Sequence, residues 1–144
     1  MLRIVTDGSC KGNPGPTGWA AVLIRDDEIL QEVTGGSPER GTNNIAEFKA
    51  ILCGLGAAQA WLVKDESVTV ISDSTLCIGY LSGGWRSNNA ALGRLRLQIR
   101  KVEKALDAPV IYKKGSIDDE LFQLADVLAK EAVPQGYKEK ETDE

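Results

Sequence analysis

Three stretches near the start of the chain decide its fold: Leu2-Arg-Ile-Val-Thr6, Gly18-Trp-Ala-Ala-Val-Leu-Ile-Arg25 and Ile29-Leu-Gln-Glu-Val-Thr34. Each is short and rich in residues that fit a pleated, half-buried surface, so each predicts a strand. Asp26-Asp27-Glu28 is the turn between the second and third, and the chain therefore begins as an antiparallel meander. From Ile45 the rhythm becomes helical: Ile45, Phe48, Leu52, Leu55 and Gln59 follow i, i+3, i+4 spacing, with Thr42 and Asn43 as candidate N-caps. Ser67 to Ser72 predicts a fourth strand, and a short helix from Ser74 stops at Gly83-Gly84. Asn89 to Leu106 is a longer helix with Leu92, Leu95, Ile99, Val102 and Leu106 on one stripe. Pro109 opens a fifth strand, Val110-Ile-Tyr112, and a last helix from Asp119 to Ala132 ends before Pro134. This βββαβααβα order predicts an α/β fold: a five-stranded mixed sheet, meander first and αβ units after, flanked by helices.

A chain of 144 residues fits one domain and can bury a core without disulfides. Its three cysteines, Cys10, Cys53 and Cys77, match no metal or disulfide spacing, so they read as reduced thiols, Cys53 and Cys77 as small buried groups. No apolar run approaches a membrane span, and Arg3 interrupts any secretory core, so a cytoplasmic protein without membrane attachment is expected. The net charge of −4 argues against a generally basic nucleic-acid binder, but it is unevenly spread. Arg86 to Lys114 holds eight Lys or Arg against Glu103 and Asp107, a local +6 that leaves −10 elsewhere.

The chain contains no histidine. That excludes Ser-His-Asp and Cys-His nucleophile systems and the common His-containing zinc sites. Acids plus a hard metal remain for hydrolysis. Four acids stand out. Asp7 ends the first strand and opens Asp7-Gly-Ser-Cys-Lys-Gly-Asn-Pro-Gly-Pro16, where a polar turn residue is the plain alternative. That stretch lacks the Gly-Lys-Ser/Thr ending of a nucleotide P-loop. Glu47 closes Asn44-Ile-Ala-Glu47, which has capping-box spacing, and Asp73 could be the N-cap of the helix after Ser72. Asp126 lies about 150° from the centre of a stripe of Leu121, Leu124, Ala125, Leu128 and Ala132, which marks a solvated-face acid.

Taken together, Thr6-Asp-Gly-Ser-Cys-Lys-Gly-Asn-Pro-Gly-Pro16, Thr42-Asn-Asn-Ile-Ala-Glu47, Ser72-Asp-Ser74 and Ala125-Asp-Val-Leu-Ala129 resemble ribonuclease H of type 1. The resemblance covers residues 1–133 as a catalytic domain and leaves 134–144 as a polar, frayed tail. It implies that Asp7, Glu47, Asp73 and Asp126 converge and bind two Mg2+ ions, or Mn2+ in their place. Clustered carboxylates repel and are relieved by divalent cations, and oxygen-only ligands suit these metals. Two ions about 3.5–4 Å apart would straddle the scissile phosphate, cutting the RNA strand of an RNA/DNA hybrid to leave 5′-phosphate and 3′-hydroxyl ends.

The same resemblance implies that Cys10, Asn13, Asn43 and Asn44 contact the substrate, with Thr42 near a DNA-strand phosphate and Trp85 beside the DNA strand. Reading the 2′-hydroxyl is what separates RNA from DNA. The partner expected is the hybrid, and the protein a monomer. The basic helix carrying Arg94, Arg96, Arg100, Lys101 and Lys104 reads equally as a phosphate track or a solvated face. Two departures stand out: the loop before the last helix has Ser116 where many relatives carry a histidine, and no basic protrusion follows Trp85. Ser116, Asp118, Asp119 and Glu120 are the candidates to replace that histidine. A hybrid-binding module with weak or no catalysis, or a DNA nuclease or resolvase on the same fold, is the alternative.

Overall fold

A computed structural model describes residues 1–115 and 119–134. Strands β1 (Leu2–Cys10), β2 (Gly15–Arg25) and β3 (Glu28–Gly41) form the antiparallel meander. Asp26 and Asp27 both have positive φ, 50° and 65°, the backbone of a tight two-residue hairpin whose twist matches its strands. Helix α1 (Asn43–Ala58) leads to β4 (Val68–Ser72), and α2 (Thr75–Ser82) and α3 (Ala90–Leu106) lead to β5 (Val110–Lys114) and α4 (Glu120–Ala132). The sheet order is β3-β2-β1-β4-β5, with β4 parallel to both β1 and β5. The element order is the expected one. The strands of the meander run longer than expected because pairing continues through Gly8–Cys10 and Ser37–Gly41, where composition alone suggests loop.

Alternation along β1 divides the core between two faces. Leu2 and Ile4 pack with Phe48, Ile51, Leu55, Leu92, Leu95 and Ile99 under α1 and α3. Val5 packs on the other face with Val22, Ile24, Phe122 and Ala125 under α4. Phe48 meets Tyr80 edge-on at 5.6 Å between ring centroids. The helix stripes need two corrections. On α1 the buried line runs through Ile51 while Gln59 is exposed, because the helix is pressed between the sheet and α3. On α4 the buried residues are Phe122, Ala125 and Ala129, about 80° around the helix from the expected stripe. Among the described residues no helix is long and apolar enough to cross a membrane, and Cys10, Cys53 and Cys77 are free thiols.

Candidate active site

Asp7 lies near the end of β1, and Asp73 lies just beyond the end of the adjacent parallel strand β4. The β1–β4 ladder sets Val5 opposite Ile71, so continuing both chains by two residues brings these carboxylates side by side. Glu47 arrives from α1. Its approach depends on Gly8: a Cβ there would fall 2.4 Å from both the Ala46 carbonyl carbon and the Glu47 nitrogen. Only a glycine lets the helix backbone lie this close to the strand. The Gly8 N–H is shared, donating to Asp7 Oδ1 and Glu47 Oε1 at 3.0 Å each. Ser72 Oγ faces Glu47 Oε2 at 3.5 Å and accepts from the Ser74 N–H at 3.1 Å.

One carboxylate oxygen from each of Asp7, Glu47 and Asp73 lies within 4.8 Å of the others. Asp7 and Glu47 are buried, and Asp73 is exposed. Burial, with the charge of Asp73 added, holds the Asp7 carboxyl above the ordinary range; burial and then the charge of Asp7 do the same to Glu47. The pair titrates as a unit rather than as two independent acids. Carboxylates this close, with no nitrogen or sulfur donor in the set, fit a hard divalent cation, and such an ion removes the repulsion that raises their proton affinity.

The N-cap expected at Thr42 holds, while the capping roles considered for the two acids fail for a local reason. Thr42, not Asn44, caps α1, its Oγ1 accepting from the Ile45 N–H at 3.2 Å, so Glu47 is not part of a capping box and points into the cluster. Ser74, not Asp73, caps α2, accepting from the Cys77 N–H at 3.2 Å. Each acid is thereby relieved of a helix-end duty. Asp126 is also not a remote solvated-face acid. With α4 seated on Phe122, it borders the buried face half-exposed, outside the group formed by Asp7, Glu47 and Asp73, and its charge adds to the upward shift of Asp7. Its Oδ2 lies 2.9 Å from Lys130 Nζ, one turn further on. The i, i+4 spacing of Asp126 and Lys130 is a sequence signal that reveals this pair; Gly8 and Ser72 lie inside the quoted motifs, but no periodicity shows what they touch.

The Asn13 Oδ1 accepts from the Asn43 N–H at 3.0 Å, tying the β1–β2 loop to the start of α1. Asn43 and Asn44 are exposed there, while the Cys10 thiol turns toward the Gly15 and Gly41 carbonyls at 3.7 and 3.4 Å. Trp85 is exposed after α2, whereas Trp19 stacks under Lys49 and Trp61 donates to Gln31. The basic helix divides in two. Arg96 lies over Tyr80 and Arg100 is bound to Glu103 and the Leu81 carbonyl, while Arg94, Lys101 and Lys104 are exposed. A cleft of about 410 Å3 beside the start of α1 is lined by Arg40, Lys49 and Arg94, with Glu39 on its rim. Of the four loop candidates, Ser116 and Asp118 lie outside the described residues. Asp119 caps α4 by accepting from the Leu121 N–H at 2.8 Å, and Glu120 is exposed in its first turn. Lys114 reaches Thr75 Oγ1 at 2.6 Å from the end of β5.

The RNase H family model matches residues 1–133. The chain is 36% identical to the ribonuclease H of Caldanaerobacter subterraneus subsp. tengcongensis, over 96% of this chain and 95% of that one. It is 34% identical to the ribonuclease H of Anaplasma marginale, over 90% and 88%. Among solved structures it resembles LC11-RNase H1 in complex with an RNA/DNA hybrid, with a TM-score of 0.83, 27% identity and coverage of 92% and 96%. It also resembles RNase H1 from Halobacterium salinarum, with a TM-score of 0.80, 30% identity and coverage of 91% and 96%.

Proposed function

The chain belongs to the RNase H family, and from that premise we propose that it is an endonuclease that hydrolyses the RNA strand of RNA/DNA hybrids at the cluster of Asp7, Glu47, Asp73 and Asp126. The observation that carries this reading is the convergence of three carboxylates within 4.8 Å, two of them buried. Asp7, Glu47, Asp73 and Asp126 would hold two Mg2+ ions, with Mn2+ able to substitute. Bound there, the metal supplies Lewis-acid polarisation of the scissile phosphate and a water nucleophile at neutral pH.

The chain's own residues do the rest. Gly8 and Ser72 fix the oxygens of Asp7 and Glu47 before substrate arrives, which removes reorganisation from the reaction. Asn13, Asn43 and Asn44 cluster where the β1–β2 loop meets α1, and with Cys10 they would read the RNA strand through its 2′-hydroxyls. Thr42 would lie near a phosphate of the DNA strand and Trp85 beside that strand, while the cleft of Arg40, Lys49 and Arg94 adds charge that carries no sequence information. The domain would be residues 1–133, acting as a monomer.

The test is cleavage of labelled RNA/DNA hybrid, RNA/RNA and DNA/DNA with Mg2+ or Mn2+, parent against Asp73→Asn. The expected result is metal-dependent cutting of the hybrid alone, with 5′-phosphate and 3′-hydroxyl ends, reduced on the order of a thousandfold in the variant. An intact hybrid overturns the enzyme reading, and if the hybrid is bound the protein is a binding module. Cutting of DNA/DNA that is lost in the variant points to a DNA nuclease.

A further inference from the structure

Three glycines surround one tryptophan. Gly79 is buried within α2, and a Cβ placed on it would fall 2.3 Å from Trp85 Cδ2 and 2.4 Å from Cε3, so the indole rests directly on the glycine backbone. The Gly79 carbonyl accepts from the Gly83 N–H at 2.8 Å and the Trp85 N–H at 3.1 Å, which folds the chain back over the end of α2. Gly84 makes that reversal with φ of +73°, a left-handed conformation that glycine adopts freely. Trp85 is still 48% exposed, so the indole is supported from below while much of it remains open. In a helix interior alanine is the better residue and glycine costs stability. The close approach of the indole accounts for a glycine at 79.

We propose that Gly79 is a positioning residue for substrate: by letting the indole close onto α2, it fixes the plane of Trp85 before nucleic acid arrives. The inference rests on the reading of Trp85 as a contact to the DNA strand. Aromatic platforms gain affinity from contact and lose it to the ordering of their own side chain. A seat that orders the ring in the free protein removes that loss.

The experiment is a double-mutant cycle of parent, Gly79→Ala, Trp85→Ala and the double variant, measuring KM and kcat on hybrid, melting midpoint, and acrylamide quenching of tryptophan emission, with the Trp85→Ala variants giving the share of Trp19 and Trp61 to subtract. Gly79→Ala should raise KM about three- to tenfold, leave kcat within about twofold, and make Trp85 more quenchable. In the Trp85→Ala background the same substitution should leave KM unchanged, because the indole that the added methyl displaces is gone. Gly84→Ala disturbs the turn with nothing within 4 Å of the added methyl. It should reproduce the KM increase without burdening α2. Equal KM increases for Gly79→Ala in both backgrounds, or an unchanged KM in Gly79→Ala and Gly84→Ala, overturns the inference. A parent that cuts no hybrid overturns the proposed function and this inference with it, whereas a cutting parent with an additive cycle overturns this inference alone.

Discussion

Two glutamates lie near opposite ends of the sheet, equally buried and oppositely charged in tendency. Glu47 is 8% exposed and Glu66 is 9% exposed. Glu66 accepts from Arg25 Nε and Nη2 at 2.8 and 2.7 Å and from the Val63 N–H at 3.3 Å, with the N-terminal amine 3.7 Å away. The hydrogen bonds from Arg25 pull its pKa down to about 2. Glu47 has Asp7 and Asp73 as its charged neighbours, and burial drives its pKa upward. Comparable solvent exposure with opposite outcomes separates the two sites: burial and acidic neighbours raise Glu47, while the hydrogen bonds of Arg25 lower Glu66. The Glu66 end carries its own cation, and the Glu47 end fits one supplied from outside.

The hardest blow to this contrast is removal of a charge from the uncompensated end. Asp73→Asn should lower hybrid cleavage on the order of a thousandfold and leave the melting midpoint nearly unchanged; activity within about tenfold of the parent would place the chemistry elsewhere. Gly8→Ala keeps every charge and moves α1. Overpacking should cost about 1–3 kcal/mol of stability, and displacement of Glu47 should cost roughly ten- to a hundredfold in kcat. Full activity in that variant would show that the Asp7–Glu47 spacing is not critical.

The two glutamates should then respond with opposite signs. In chelator at neutral pH, Glu66→Gln should lower the melting midpoint by about 5 °C by stranding Arg25, and Glu47→Gln should raise it by a similar amount. Shifts of the same sign would remove the distinction. Their pH dependence follows the same logic. The folded pKa of Glu66 lies below its ordinary value of 4.5, so its contribution is complete above that pH and fades as pH falls toward about 2. Asp7 and Glu47 are raised, so the folded chain holds more protons than the unfolded one. Without divalent cation, stability should therefore decline as pH rises above the ordinary carboxylate range, and Mg2+ should flatten that decline. Urea titrations at pH 5 and 8, with chelator and with Mg2+, measure the slope. The smallest effect is expected for Lys130→Ala, whose exposed pairing with Asp126 should move the midpoint by no more than about 2 °C.

Much of this was legible in the sequence because it is local. The meander, the order of elements and the stripe Leu92, Leu95, Ile99 follow from periodicity and turn residues. The site was legible only through its motifs taken together, since each acid had a plausible local duty. Thr42 caps α1 two residues before Asn44, and Ser74 caps α2 one residue after Asp73, which settles two of those cases. Asp126 departs from its expected position because the helix seats on Phe122 and Ala129, which the stripe of leucines does not include. The Glu66–Arg25 pair and the seat of Trp85 on Gly79 join residues that no periodicity connects, and a contact created by tertiary packing leaves no such trace.

The parallel ladder between β1 and β4 acts as a ruler. Side chains alternate between faces along a strand, so a one-residue slip would turn Asp73 to the opposite face, and a two-residue slip would carry it about 7 Å along the strand. The carboxylate set thus exists only in correct register between segments distant in the chain, a pairing that must wait for the closure of a long loop. During refolding, affinity for a divalent cation should therefore appear after the hairpins and helices, and it would report completed topology where circular dichroism reports only its parts.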